Sequence, residues 1–196
     1  MLTTAEKNVA MDAQAARIPF MSLHTAFPGS GGANEVAGGA YARKAASWGS
    51  AASSKVDLSG SLVFDVPGGT TVSWLGYQSA SSAGTYRGCM PLGGAPKEFT
   101  VDPTTDVFRA EGHGYADTQT VVFFGGSCPT GLTEGQIYFV RDATTDTFKV
   151  AATSGGLAID ITGVGDVDVV VSKITPETFG GDGTYTLTAG SLELFP

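Results

Sequence analysis

Charge is scarce in this chain, and positive charge is scarcer than negative. Asp, Glu, Lys and Arg make up 15% of the 196 residues, against roughly 25% in ordinary soluble domains. Eleven Lys and Arg face nineteen Asp and Glu, for a formal net charge of −8. A DNA or RNA binder draws much of its affinity from phosphate contacts and needs a basic footprint. None is visible, which excludes nucleic acid as a partner. Long apolar runs are missing too. No stretch approaches the roughly 18 apolar residues of a membrane-crossing helix, so no membrane partner is expected. The opening Met1-Leu2-Thr3-Thr4-Ala5-Glu6-Lys7 has no charged segment leading into an apolar one. It does not read as a secretory signal, and folding in a cytoplasm is the expectation.

The residues of catalysis are equally sparse. Cys89 and Cys128 are the two cysteines. They lack the paired spacing of a zinc site, and in a reducing compartment they read as structural thiols. The two histidines are His24 and His113. Nucleophilic sites of the Ser-His-Asp or Cys-His kind need a histidine beside the nucleophile. His24 lies in the strand-like run Ser22-Leu23-His24-Thr25 and reads as a polar strand residue with a backbone partner. His113, in Gly112-His113-Gly114, reads as a turn residue. Acid pairs such as Asp142 with Asp146, or Asp166 with Asp168, sit in polar turns. That setting suits neither a glycosidase carboxylate pair nor a calcium loop. The glycines Gly29 to Gly32 are not followed by the Gly-Lys-Ser/Thr of a phosphate-binding loop. No catalytic, cofactor-binding or metal-ligating residue is assigned, and the chain reads as non-enzymatic.

What the chain does have is glycine: 28 residues, roughly twice the usual share. With abundant Thr, Ser and Val, this composition favours short strands joined by tight turns. Residues 3–17 form the one expected helix. Thr3 and Glu6 make a capping-box pattern, and Leu2, Ala5, Val9, Ala13 and Ala16 line up as a narrow apolar stripe. Pro19 blocks continuation. Strands are expected at Met21–Ala26, Ala40–Trp48, Ser61–Val66 (Leu62, Phe64 and Val66 on one face), Val72–Tyr77 and Thr85–Met90. A last strand pair, Thr184–Thr188 with Leu192–Phe195, is expected around Ala189-Gly190. Phe27–Gly39 reads as a long loop.

The middle of the chain carries an internal echo. Asp102-Pro103-Thr104-Thr105-Asp106-Val107-Phe108-Arg109 matches Asp142-Ala143-Thr144-Thr145-Asp146-Thr147-Phe148-Lys149, forty residues later. Each reads as a turn feeding a strand with a buried Phe. Two copies are too few for a solenoid. The charge follows the same division. Asp102 to Asp168 holds ten acids and three bases, the rest nine acids and eight bases. The expected fold is all-β, an antiparallel β-sandwich with a short N-terminal helix and an inserted small β-barrel-like module. Residues 1–98 with 174–196 would form the sandwich body, and 99–173 the acidic module.

Met21 to Ala26, Pro28-Gly29, and above all Glu35-Val36-Ala37-Gly38-Gly39-Ala40-Tyr41-Ala42-Arg43 resemble a family of phage minor tail and tail-fibre-type structural proteins. Leu62 to Pro67, Val72 to Gly76, Gly183 to Leu192 and the helical opening fit the same pattern, which covers roughly 1–98 and 174–196. The module between is similar to a small β-unit found in phage structural proteins, through Phe108, Gly112 to Gly114, Val121 to Phe123, Pro129 to Leu132, Tyr138 to Val140 and Thr147-Phe148. The simplest family members run without such an insert. The resemblance implies a virion component assembled in the host cytoplasm, a minor tail or fibre-type protein working as a symmetric oligomer such as a trimer. The alternatives are a capsid decoration protein and a host-surface carbohydrate binder. Expected partners are copies of the chain, other virion proteins and, for the last alternative, a glycan. Glu35, Tyr41, Arg43, Trp48 and Trp74 are the candidate assembly-interface residues.

Overall fold

The structure, a computed structural model, describes residues 2–193. It divides into two compact units. One takes the chain up to Met90 and from Glu177 onward, the other Pro91 to Pro176.

The first unit opens with helix α1, Thr4–Ala16. Thr3 caps it: the Glu6 amide donates to the Thr3 hydroxyl, and the Thr3 amide donates back to the Glu6 carboxylate. Two of the helix's orphan amide donors are thereby satisfied. The apolar stripe read from the sequence, however, faces solvent: Leu2 is 56% and Val9 70% exposed. The inward side carries Met11 and Ala15, packed with Val56. It also carries Asn8 and Asp12, whose side chains accept from the Ser54 and Ala51 amides at 2.8 and 2.7 Å. The helix is oriented by polar anchoring of the turn at 51–54, where Ser53 and Ser54 have positive φ.

Strands follow: β1 Phe20–His24, β2 Lys44–Ala45, β3 Lys55–Asp57, β4 Leu62–Val66, β5 Thr71–Val72, β6 Trp74–Gln78 and β7 Tyr86–Pro91. Strands β2, β1, β6 and β7 make a four-stranded sheet in that order. β1 pairs antiparallel with β6 over its full length, His24 opposite Trp74. All five residues of β6 are buried. In β4 the alternation holds, with Leu62, Phe64 and Val66 buried between half-exposed neighbours.

The second unit contains β8 Thr100–Asp102, β9 Val107–Arg109, β10 Thr120–Phe124, β11 Ile137–Arg141, β12 Thr147–Ala151 and β13 Val170–Lys173. They form one antiparallel sheet in the order β13-β10-β11-β12-β9-β8. Phe108, Phe123, Phe148, Tyr115, Ile161 and Val171 anchor its core. The two echoed segments are the turns of hairpins β8–β9 and β11–β12, and β9 pairs with β12 so that Phe108 faces Phe148. The chain then returns to the first unit as β14 Glu177–Thr178, β15 Gly183–Leu187 and β16 Ser191–Glu193.

This architecture corrects the expected sandwich and barrel. Among the described residues no sheet closes or curls strongly. In the second unit the end strands β13 and β8 lie at opposite ends of an open order, whereas a barrel needs its end strands paired to one another. Beside the four-stranded sheet, the first unit holds two-stranded pairs: β14 with β5, β15 with β4, β16 with β3. Two of these pairs, β14 with β5 and β16 with β3, have strands of only two or three residues, too short to extend a continuous facing layer beside the β15–β4 pair. The expected pairing of the last two strands is also replaced. β15 runs against β4, with Tyr185 opposite Phe64, and β16 against β3, with Leu192 opposite Val56. The end of the expected last strand, including Phe195, lies outside the described residues. Ala40–Trp48 yields the two-residue β2 and an isolated bridge from Trp48 to Leu58, entered through Gly38 and Gly39 at positive φ.

Candidate functional site

The densest polar constellation in the first unit joins Glu35, Tyr41 and Arg43. The segment carrying them leaves β1 through the Gly29–Gly31 turn and returns alongside it. The Val36 amide donates to the Leu23 carbonyl at 2.9 Å. Arg43 then forks onto Glu35: Nε donates to Oε1 at 2.8 Å and Nη2 to Oε2 at 2.7 Å. Its remaining nitrogen, Nη1, donates to the carbonyls of Ala80 and Ala83 at 3.1 and 2.6 Å. Those carbonyls belong to the turn between β6 and β7, where Ala83 and Gly84 take positive φ. A planar guanidinium can serve a carboxylate and a carbonyl pair together because its donors form a rigid fork. The Glu35 hydrogen bonds hold the Arg43 pKa above its ordinary value.

Tyr41 completes the cluster. Its hydroxyl accepts from the Leu23 amide at 2.9 Å and lies 3.4 Å from Glu35 Oε1. Burial pushes its phenol well above the ordinary tyrosine value, so it remains a neutral donor and acceptor. The two tryptophans lie elsewhere. Trp48 is half-buried against Met11, Ala15 and Val56 and donates from Nε1 to the Ile18 carbonyl at 3.1 Å. Trp74, 1% exposed, is core, its ring 5.0 Å from that of Phe27. The structure therefore brings three of the five candidate interface residues into one internal clamp. The ion pair between Glu35 and Arg43 is made within the chain.

Beneath this clamp lies a second network whose pairing the sequence reading missed. Ser22 Oγ is 2.8 Å from His24 Nε2, and His24 Nδ1 is 2.7 Å from the Ala33 carbonyl. A carbonyl only accepts, so Nδ1 carries the proton and the Ser22 hydroxyl donates to Nε2. Gln78 Nε2 donates to Ser22 Oγ at 3.2 Å. The residues resemble a nucleophile and its base, but Ser22 and His24 are both 0% exposed, so no substrate reaches the hydroxyl. Alternation along a strand places residues i and i+2 on one face, the one sequence signal that could have found the pair. In the second unit His113 Nδ1 accepts from the Tyr115 amide at 2.9 Å, packing at a strand corner.

Two further features of the described residues bear on chemistry. A hollow of about 110 Å³ lined by Gly39, Ala40, Asp65, Pro67 and Asp182 among others is smaller than the roughly 300 Å³ where small-molecule sites begin. Among the described residues no three His, Cys, Asp or Glu side chains are grouped to hold a metal ion, and neither cysteine is in a disulfide. No helix there is long and apolar enough to cross a membrane.

Comparison with known proteins supplies the remaining constraint. A family model described as podophage GP4 fiber I protein gp80 matches residues 3–111. The chain belongs to this family. The match takes in the Glu35–Arg43 clamp, the Ser22–His24 pair and the β8–β9 hairpin, while residues 112–196 lie outside it. No curated protein and no solved structure matches the chain. The chain is thus a phage fibre-related structural protein.

Proposed function

We propose that this member of the fiber family is a non-enzymatic part of a tailed-phage virion, of the minor-tail or tail-fibre type, working as a symmetric oligomer after assembly in the host cytoplasm. The observation that carries the reading is the family match over residues 3–111. Physical chemistry supports it: a virion part needs a stable fold and surfaces that repeat under symmetry, not a reactive cleft. The Glu35–Tyr41–Arg43 clamp serves that need by fixing two loops in one geometry, so that every copy presents the same surface. Trp48, which is half-buried, is the remaining candidate for a contact between copies. The second unit, with eleven acidic and five basic side chains between Pro91 and Pro176, is a module kept in solvent.

Gold-labelled antibody against the purified chain, applied to intact virions, tests this assignment. Label on the tail is expected. Label on capsid faces overturns it in favour of head decoration. Sedimentation of the purified chain tests the oligomer: a monomer at every concentration overturns self-association. Binding on a glycan array, lost on substituting a surface aromatic, would replace the scaffold reading with host-surface recognition.

A further inference from the structure

His24 is sealed from water by two unequal walls. On one side stands β6. A Cβ added at Gly76 would overlap His24 Nε2 and Ser22 Oγ, so the strand backbone lies directly against the ring. That wall is a fully buried strand paired along the whole of β1. On the other side lies the segment from Thr25 to Asn34. It holds Gly29, Gly31 and Gly32, and most of its residues are exposed. It is held to the rest of the unit by the Ala33 carbonyl on His24 Nδ1, by the Ser73 hydroxyl donating to the Thr25 carbonyl, and by Phe27, whose ring lies 5.0 Å from that of Trp74, while the Thr25 amide closes the segment on itself at the Asn34 carbonyl. Gly32, at φ +72°, lies flat on the Tyr86 ring, where a Cβ would sit 2.6 Å from the ring edge. With Pro28 its one buried residue and most of the others exposed, this segment opens at lower free energy than the fully buried strand beneath it.

We propose that His24 is an acid-released latch: its neutral ring fastens the Thr25–Asn34 segment over β1, and protonation of Nε2 makes that segment lift. The bonding around the ring favours this. With Nδ1–H held on Ala33, a second proton must go on Nε2, and the Ser22 hydroxyl then loses the acceptor it donates to. The Ser22 oxygen, which already accepts from Gln78, must turn to accept from the new N–H as well, and its own hydrogen has to find another acceptor while the charge stays buried, which costs more than an ordinary hydrogen bond. Lifting the mostly exposed Thr25–Asn34 segment admits water to the charged ring. The charged groups facing the ring do not rescue it. Glu35 favours the cation but is committed to the Arg43 fork, Arg43 opposes it, and Tyr86, from β7, presents a neutral ring at 6.0 Å.

The sign follows from linkage. Burial holds the closed-state histidine below its ordinary value of 6.5, against the smaller opposing effects of Ala33 and Glu35. The open segment therefore binds more protons than the closed one. Closure is complete above about pH 6.5 and is lost as pH falls toward the lowered closed-state value, the open fraction rising about tenfold per pH unit in that window.

Amide hydrogen exchange on the full chain, corrected for the intrinsic pH dependence of exchange, tests this between about pH 7.5 and about pH 5. The Thr25 and Val36 amides are expected to lose protection on acidification while those of β6 keep theirs, and the His24→Gln variant is expected to show no such change. Loss of protection at all amides together, no loss at all, or the same loss in His24→Gln overturns the latch. If that variant does not fold, the imidazole titration of His24 by NMR in the unmodified chain decides. Its midpoint must coincide with segment opening, and a midpoint displaced from it overturns the proposal.

Discussion

Phe108 and Phe148 stack across the β9–β12 ladder, ring centroids 5.4 Å apart and planes 19° from parallel. They occupy the same place in the two echoed segments, so the echo is a contact as well as a resemblance. The aspartates two residues before them act alike. Asp106 accepts from the Ile161 amide and Asp146 from the Gly112 amide, both at 2.9 Å. Each hairpin thus drives a phenylalanine into the shared core and ties down a distant loop. Truncating Phe148, which is essentially buried, is expected to cost about 3–5 kcal/mol, the range for a buried aromatic replaced by alanine. Phe148→Leu, which keeps most of the volume, is expected to cost less. Urea denaturation followed by exchange at the β10 and β11 amides checks both.

The clamp makes a sharper prediction. Arg43→Ala removes four hydrogen bonds and leaves Glu35, itself partly buried, without its cation. Bonds to charged groups contribute about 1.5–3 kcal/mol, and with the pair partly exposed the expected loss is about 2 kcal/mol. Arg43→Lys keeps the charge but not the fork. It is expected to recover less than half of the loss and to leave the Ala80–Ala83 turn loose. Thermal unfolding of the three proteins, with exchange at the Ser79–Gly84 turn, measures the difference.

Helix α1 shows where a pattern argument fails. Leu2 and Val9 are the large residues of the expected, mostly alanine stripe, yet the face held against the unit carries Met11 and Ala15 with Asn8 and Asp12 beside them. Asp12→Ala is expected to destabilise by about 1 kcal/mol, since the Ala51 amide loses its acceptor. Val9→Ser, at a position 70% exposed, is expected to change stability by no more than about 0.5 kcal/mol in either direction. Denaturant midpoints for the two variants rank in the opposite order if the stripe is the packing face.

Local rules were legible in the sequence because neighbouring residues enforce them. The Thr3–Glu6 capping box closes within one helical turn, and the alternation of Leu62, Phe64 and Val66 is a property of a single strand. The echo at Asp102 and Asp142 exposed both hairpin turns. The pairings of β15 with β4 and β16 with β3 join segments far apart in the chain, and no local signal chooses them over the nearer hairpin. That is why a sandwich and a barrel were the natural expectations and open sheets the outcome. The site divides the same way. Glu35 and Arg43 stood out as residues, but spacing alone leaves open whether such charges meet within the chain or across a contact. The backbone partner expected for His24 is the Ala33 carbonyl, and only its pairing with Ser22, two residues away on the same strand, went unread.

Cys128 gives a chemical readout of the second unit. Burial and the nearby Glu134 carboxylate push its thiol up to about 11, from an ordinary value of 9.0. The thiolate is the reacting species, so a rise of this size lowers the reactive fraction at neutral pH by about a hundredfold. Iodoacetamide labelling of the native protein, followed by mass spectrometry of the peptide containing Cys128, should therefore be slow near neutrality and climb with pH into the alkaline range. In denaturant the same cysteine should label at the rate of an ordinary thiol. Glu134→Gln removes the like charge while leaving the burial, which is the larger cause, so it should restore only a minor part of the rate. Full recovery in that variant would make the carboxylate, rather than burial, the dominant influence on this thiol.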